Sequence, residues 1–424
     1  MKLIIFDNDK SEFLFPLTYL RPSFELKIGF DSLGDKIERA SGDFVGKAYF
    51  VRDILAATVK ERNEGVAVND SAALSGDDLL VVDGRVLVTK AFALPDGDCV
   101  AKSGDDVVLA KVSAATAATL PSGSVEEFMA AAAEKLDTVE IDIELMAFPW
   151  DLIIHNPETI TADFDAMGKS GIEGNMHPMS CIYGPEDRCY IAPGAEIHPT
   201  VVIDTKNGPV YLDEGVEVFP HTRVEGPCYV GKDTQLVGGK IREGCSIGPV
   251  CKVGGEVEEA IIHGYSNKYH DGFLGHAYVG EWVNLGALTT NSDLKNDYSS
   301  VEVKIGGETY DTGSTKIGSF IGDHTKTSIG TLLNTGSSVG CMCLLMASGA
   351  PMPKFIPGFS WFLNGRFSRG AGFKSLLKTA HAATSRRKRD LTEADVELLK
   401  AVYEQTKTER SKLIRRDSLA MLKK

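Results

Sequence analysis

The feature that most constrains this chain is a six-residue apolar step running through its second half. Ile191, Ile197 and Ile203 stand six apart, Leu212, Val218, Val224, Val230 and Leu236 keep the step, and Ile241, Ile247 and Val253 resume it. It returns in Phe273, Val279 and Leu285, then in Ile321, Thr327, Leu333 and Val339. A helix buries positions three and four apart and a strand buries alternate ones, so a period of six with glycine and small polar residues between fits neither. It fits a β-helical solenoid, in which each coil stacks its aliphatic side chains on the next. A β-sandwich is the alternative, but its strands recur at about 8–12 residues.

At 424 residues the chain is too long for one ordinary core and should hold two or three domains. Residues 1–165 alternate short β-type runs (Leu3 to Phe6, Ala48 to Val51, Leu79 to Val82, Val107 to Val112) with helical stretches such as Val125 to Leu136. That alternation predicts an α/β sheet, and Ser124 is placed to cap the helix. Residues 166–188 are rich in glycine and proline and read as a linker. The solenoid is expected over 189–350. Pro351, Pro353 and Pro357 then delay a helical extension over 351–424, with helices at Phe373 to His381 and Leu391 to Arg416, the second opened by Thr392 with Asp395 three residues on.

The net charge of -14 argues against general nucleic-acid binding, which needs a basic face. The charge is uneven. From Arg366 onward there are 16 Lys/Arg against 7 Asp/Glu, so a basic tail follows an acidic body and could meet either a phosphorylated ligand or that body. Eight cysteines show no CxxC pair and no metal-type spacing with histidine, which suits free thiols in a reducing compartment. The apolar run LIIF at the start is too short for a signal peptide, and no 18-residue apolar segment occurs. A soluble, cytoplasmic protein with no membrane partner is the expectation.

Polar side chains concentrate between Lys252 and Tyr298, within the solenoid. Acetyl transfer from a thioester to an amine needs a base for the proton of the attacking nitrogen, donors for the oxyanion, and a shape that aligns both substrates. His270 interrupts the hexad rhythm where a coil corner would leave it accessible, and it is the candidate base. His276, six residues on, would be a non-catalytic neighbour. Glu256, Asn267 and Asn284 could orient the base or hold sugar hydroxyls, and Lys252 could meet a sugar phosphate. Each of these also has an ordinary reading as a solvated or structural side chain.

The segment IGPVCKVGGEVEEAIIHGYSNKYHDGFLGHAYVGEWVNLGALTTNSDLKN resembles the acetyltransferase domain of the bifunctional glucosamine-1-phosphate acetyltransferase / N-acetylglucosamine-1-phosphate uridylyltransferase family, in a branch whose N-terminal domain diverges. The resemblance implies a left-handed parallel β-helix that forms a homotrimer, with acetyl-CoA lying between subunits. It implies His270 as catalytic, Glu256 as the active-site glutamate and Asn284 near the acetyl group. It also marks departures. The family's sugar-binding tyrosine is Phe273 here, a phosphate-contacting lysine falls on Glu258, and an arginine pair becomes Lys252 and Gly254, with roughly one coil missing after it. The sugar phosphate could instead be held by Arg242 or Lys295, or the acceptor could differ.

The N-terminal domain lacks the glycine-rich loop by which sugar nucleotidyltransferases usually wrap nucleotide phosphates, yet FPLTYLRPSFELKIG resembles the divergent domain of the same branch. Arg21 and Lys27 would then contact phosphates. Such enzymes hold Mg²⁺ with an Asp at a strand end and a late Asn or Asp, for which Asp83, closing LLVV, and Asn156, in FPWDLIIHNPETI, are the candidates. The resemblance therefore implies a two-activity enzyme using a sugar phosphate, an NTP (UTP or dTTP) and acetyl-CoA. The alternatives are a single-activity nucleotidyltransferase with a purely structural trimerising β-helix, and an assembly protein with both sites degenerate.

Overall fold

The structure, a computed structural model, describes every residue except Asp142, Lys423 and Lys424. The chain divides into two compact units, one comprising 1–14, 20–26 and 31–148, the other 15–19, 27–30 and 149–424.

The first unit is built on a seven-stranded sheet. Its strands are β1 (Lys2–Phe6), β2 (Gly46–Phe50), β3 (Ala67–Val68), β4 (Leu79–Asp83), β5 (Cys99–Ser103), β6 (Asp106–Val112) and β7 (Thr138–Val139), in the order β7-β5-β6-β4-β1-β2-β3. The runs LIIF and LLVV are buried throughout, as strands covered on both faces must be. β2 and β4 lie parallel on either side of β1, with Phe6 opposite Phe50 and Asp83, while β6 runs antiparallel to both its neighbours. Helix α1 (Leu33–Ala40) opens with a capping box between Ser32 and Asp35. Helix α2 (Val125–Lys135) is capped by Ser124, which accepts from the Glu127 amide, and buries Phe128, Met129 and Ala132 in one core with Ile4, Val81 and Val100.

The second unit is a parallel β-helix with helices on its outside. One ten-stranded face pairs Tyr190 to Tyr211, Tyr211 to Tyr229, Tyr229 to Ser246, Ile261 to Tyr278 and Tyr278 to Phe320, each in parallel register. Inside, the hexad aliphatics Ile191, Ile197, Ile203, Leu212, Val218, Val224, Val230, Leu236, Ile241, Ile247 and Val253 are essentially inaccessible and form one continuous column. The β-helix starts earlier than the sequence implies. The glycine-rich passage expected to be a linker already forms a coil, with strands at Gly171–Ile172, Asn175–Met176 and Cys181–Tyr183. One coil carries an inserted antiparallel hairpin, Glu302–Ile305 with Glu308–Asp311.

The domain boundary also moves. Helix α3 (Pro149–Met167) belongs to the second unit, as does the short segment Lys27–Phe30. Phe30 stacks on Tyr229 at 4.5 Å and tilts against Tyr211 at 4.8 Å. Gly29 has φ +63°, and a Cβ there would lie 2.2 Å from Asp163 Oδ2, so only glycine lets this segment approach α3 so closely.

The extension holds α4 (Phe373–Ser385), α5 (Glu393–Gln405) and α6 (Lys407–Leu422). The predicted Thr392–Asp395 capping box opens α5. The single helix expected to follow is broken at Thr406, whose side chain is buried and bonds both the Val402 carbonyl (2.9 Å) and Gly358 of the β-helix (3.5 Å).

Candidate functional sites

The solenoid candidates lie on three adjacent coils. Lys252 pairs with Asn267, and isolated bridges continue the row from Asn267 to Asn284 and from Asn284 to Lys326. The row is joined by side chains, since Asn267 donates to Asn284 Oδ1 at 3.2 Å and accepts from Arg387 of the extension at 3.2 Å. His270 follows at the corner of the middle coil. It is exposed and meets Tyr269 edge-on at 5.0 Å.

What holds that corner is a residue that the sequence pattern does not single out. Lys268 points into the β-helix, is 3% exposed, and donates to the carbonyls of Gly254 (3.1 Å) and His270 (2.5 Å). Burial pulls its pKa down to about 8. A second buried polar group, Asn291, clamps the Gly275 backbone by accepting from its N–H and donating to its C=O, at 2.9 and 2.8 Å. A lysine and an asparagine at inward positions break the aliphatic hexad, and for that reason the pattern reads as interrupted here.

Beyond the corner the register corrects one expectation. The inward residue is Leu274, 2% exposed, whereas Phe273 is only partly covered and pairs with Glu256 on the outer surface. Glu256 makes no hydrogen bond to His270 among the described residues. Its carboxylate lies 3.6 Å from Lys240 and 4.0 Å from Arg242, and Arg242 bonds Glu258 at 2.6 Å. Arg242 is therefore beside Glu256, while Lys295 bonds the Ser300 carbonyl on the inserted loop. His276 is a different kind of histidine. It is buried, with Nδ1 2.8 Å from Asp293 and Nε2 3.3 Å from Glu259. Burial opposes its charge, but the two carboxylates overcome that and hold its pKa up at about 9.

In the first unit the parallel strands bring polar residues to one edge of the sheet. The chain runs β1, β2, β3 outward on one side and returns with β4 on the other side of β1, and ligands of open α/β sheets lie outside the carboxyl ends of the strands at such a reversal. Asp7 and Asn8 follow β1, Arg52 follows β2, and Asp83 ends β4. Asp7 accepts from the Ser23 amide at 2.7 Å and from Arg52 Nε at 2.9 Å, and Asn8 Nδ2 lies 3.5 Å from Asp83. Arg85 forks onto Asp83 at 2.7 and 3.1 Å. Burial pushes the Asp83 pKa up and the guanidinium works against it. A cleft of about 390 Å³ is lined by Asp7, Asn8, Arg52, Asn69 and Ser124 among others. Sequence reasoning misses Asp7, Asn8 and Arg52, although FDND directly after the first buried strand is a usable signal. Arg21 is buried in the same unit, and its carbonyl accepts from Arg52 at 3.2 Å.

Two residues expected at this site belong to the second unit. Lys27 is one, where its ammonium bonds the Phe30 carbonyl and stands 4.6 Å over the Tyr229 ring. Asn156 is the other, 1% exposed on α3. Its oxygen accepts from Gly29 N–H (2.8 Å) and Ser246 (2.9 Å), and its amide donates to the Gly244 carbonyl (2.8 Å). Those bonds explain why an asparagine stands at that position, and they occupy both ends of its amide as a structural clamp. Mg²⁺ takes oxygen donors, typically one or two carboxylates with water and phosphate oxygens. Asp83 with Asp7 fits that donor set, with Arg85 as a competing cation.

Comparison with known proteins finds similarity over part of the chain. Residues 3–171 match the family described as sugar nucleotidyl transferase. A bifunctional sugar-1-phosphate nucleotidylyltransferase/acetyltransferase of Sulfurisphaera tokodaii is 34% identical over 85 residues, 20% of this chain and 21% of that one. The bifunctional protein GlmU of Nitratidesulfovibrio vulgaris is 28% identical over 214 residues, 44% of this chain and 43% of that one. The chain thus spans less than half the length of these curated relatives. Among solved structures, a UDP-N-acetylglucosamine acyltransferase covers 56% of this chain and 90% of its own at 17% identity, with a TM-score of 0.21. No helix among the described residues is long and apolar enough to cross a membrane.

Proposed function

We propose that this protein is a two-site transferase of nucleotide-sugar synthesis, with acetyl-CoA-dependent N-acetylation of an amino-sugar 1-phosphate in the β-helix and nucleotidyl transfer from an NTP to a sugar 1-phosphate in the first unit. The observation that carries the reading is the exposed His270 on a corner fixed by buried Lys268, next to the Lys252–Asn267–Asn284 row. Neutral imidazole takes the proton as the amine nitrogen attacks the thioester carbonyl, and coenzyme A leaves as the thiol. Asn284 would meet the acetyl group, and Lys252, Asn267 and Arg242 would supply donors for sugar hydroxyls and phosphate. Glu256, paired with Lys240 and Arg242, would act on the sugar side of the site.

In the first unit Asp83, with Asp7, would hold Mg²⁺, which neutralises charge on the phosphates as pyrophosphate leaves. Arg21 and Arg52 would position phosphate oxygens. The reaction's partners are then a sugar phosphate, an NTP (UTP or dTTP) and acetyl-CoA, and cytoplasmic residence agrees with eight free cysteines, seven of them buried. Tyr269, Leu288, Ile329 and Met346 are exposed apolar residues at successive coil corners, and their burial would favour a homotrimer.

The test is thiol release from acetyl-CoA in the presence of glucosamine 1-phosphate. His270→Ala should lower the rate by about 10²–10⁴-fold, the usual size of a proton-transfer contribution. Equal rates for variant and wild type would leave the second reading, a nucleotidyltransferase whose β-helix only assembles the oligomer.

A further inference from the structure

The basic tail builds a cleft that neither proposed reaction uses. It lies within the second unit, walled by Trp361–Leu363 and Arg366–Ser368 on one side and by α4, α5 and α6 on the other, and it encloses about 1100 Å³. The lining carries Arg366, Arg369, Lys407, Arg410 and Arg415 and no acidic side chain. Its strand row, reached from Asn267 through Asn284, Lys326 and Leu344 to Trp361, stands four coils beyond the one that carries His270.

Two of these groups lack the partners that their burial demands. Arg410 is 6% exposed, yet among the described residues its guanidinium bonds only neutral acceptors: the Gly358 carbonyl and the Thr406 hydroxyl at 2.9 Å, and the Tyr403 carbonyl at 3.0 Å. It also stacks 4.1 Å over the Tyr403 ring. A buried charge without a counter-ion is costly, and an anion entering the cleft would offset it. The Trp361 indole N–H is likewise buried without a hydrogen-bond partner among the described residues. Arg369 and Arg415 are exposed at the mouth and make no ion pair among the described residues, whereas Lys407 pairs with Glu404 at 2.7 Å.

We infer that this cleft binds a free nucleoside polyphosphate, as an effector site separate from both reaction centres. A lining of four arginines and a lysine without a carboxylate selects a polyanion, the volume exceeds what a lone phosphate needs, and the aromatic side chains of Phe359, Trp361, Phe367 and Tyr403 in the wall suit a base. Binding here requires neither of the proposed activities.

The test is a titration of intrinsic fluorescence with ATP, UTP, coenzyme A and inorganic pyrophosphate, on wild type and on Trp361→Phe, so that the component lost in the variant reports this cleft. Saturable Trp361-dependent quenching by ATP or UTP is expected, weakening with added salt and weakening at least ~10-fold in the Arg369→Ala/Arg415→Ala double variant. Both arginines are exposed, so that variant should keep the wild-type melting temperature. The inference is overturned by nucleotide quenching with no component lost in Trp361→Phe, by binding of pyrophosphate as tight as that of nucleotides, by binding of coenzyme A alone, or by affinity unchanged in the double variant.

Discussion

At the level of single residues, the two histidines six apart have opposite surroundings, and this gives them different consequences. His276 sits between Asp293 and Glu259 with its pKa held at about 9, against about 6.5 in an unfolded chain. Because the folded value is the higher, the stability it contributes is fully present below about pH 6.5 and is lost as pH rises through about 9. Chemical denaturation at a series of pH values should show that loss in wild type and not in His276→Gln, which should be less stable at pH 6. A wild-type curve with the same slope as the variant between these limits would remove the clamp. Asn156 makes three buried hydrogen bonds, so Asn156→Ala should cost about 1–3 kcal/mol or more of stability through the partners it strands. If pyrophosphate release per folded molecule falls ~100-fold instead, Asn156 belongs to the metal site after all. Sequence can nominate His270 because its chemistry and exposure go together. It cannot reveal Lys268, since a lysine reads as solvated, and it nominates Asn156 without showing its role as a clamp, since an amide's partners are set only by packing.

Among the elements, the coils are the most legible, because a solenoid repeats one short-range pattern and each coil must satisfy it independently. The pattern fails where a polar residue turns inward. Lys268 and Asn291 hide the step, so that the hexad count lands on Phe273 while the chain buries Leu274. Leu274→Ala should therefore cost about 2–5 kcal/mol, whereas Phe273→Ala should cost much less, and thermal melts of the two variants decide the register. The capping signals at Ser124 and Thr392 are legible because a cap is local chemistry. The break at Thr406 is not, since it depends on bonds to Gly358 far away in sequence.

For the whole molecule, the α/β domain, the parallel β-helix and the helical extension stand as the hexads and the strand–helix alternation imply. The boundary does not, because α3 and the segment Lys27–Phe30 pack by aromatic and amide contacts that no composition shift marks. The apolar corner of Tyr269, Leu288 and Ile329 leads us to expect a trimer, and light scattering at micromolar concentration should give three times the mass of one chain; a stable monomer would contradict it. The most direct test of two separate transferase sites is a paired assay on His270→Ala and Asp83→Asn, following thiol release from acetyl-CoA and pyrophosphate release from UTP or dTTP. His270→Ala should lose thiol release and keep pyrophosphate release, and Asp83→Asn should do the reverse, with pyrophosphate release down at least ~100-fold. Loss of both activities in either variant, or of neither, would contradict two separate sites.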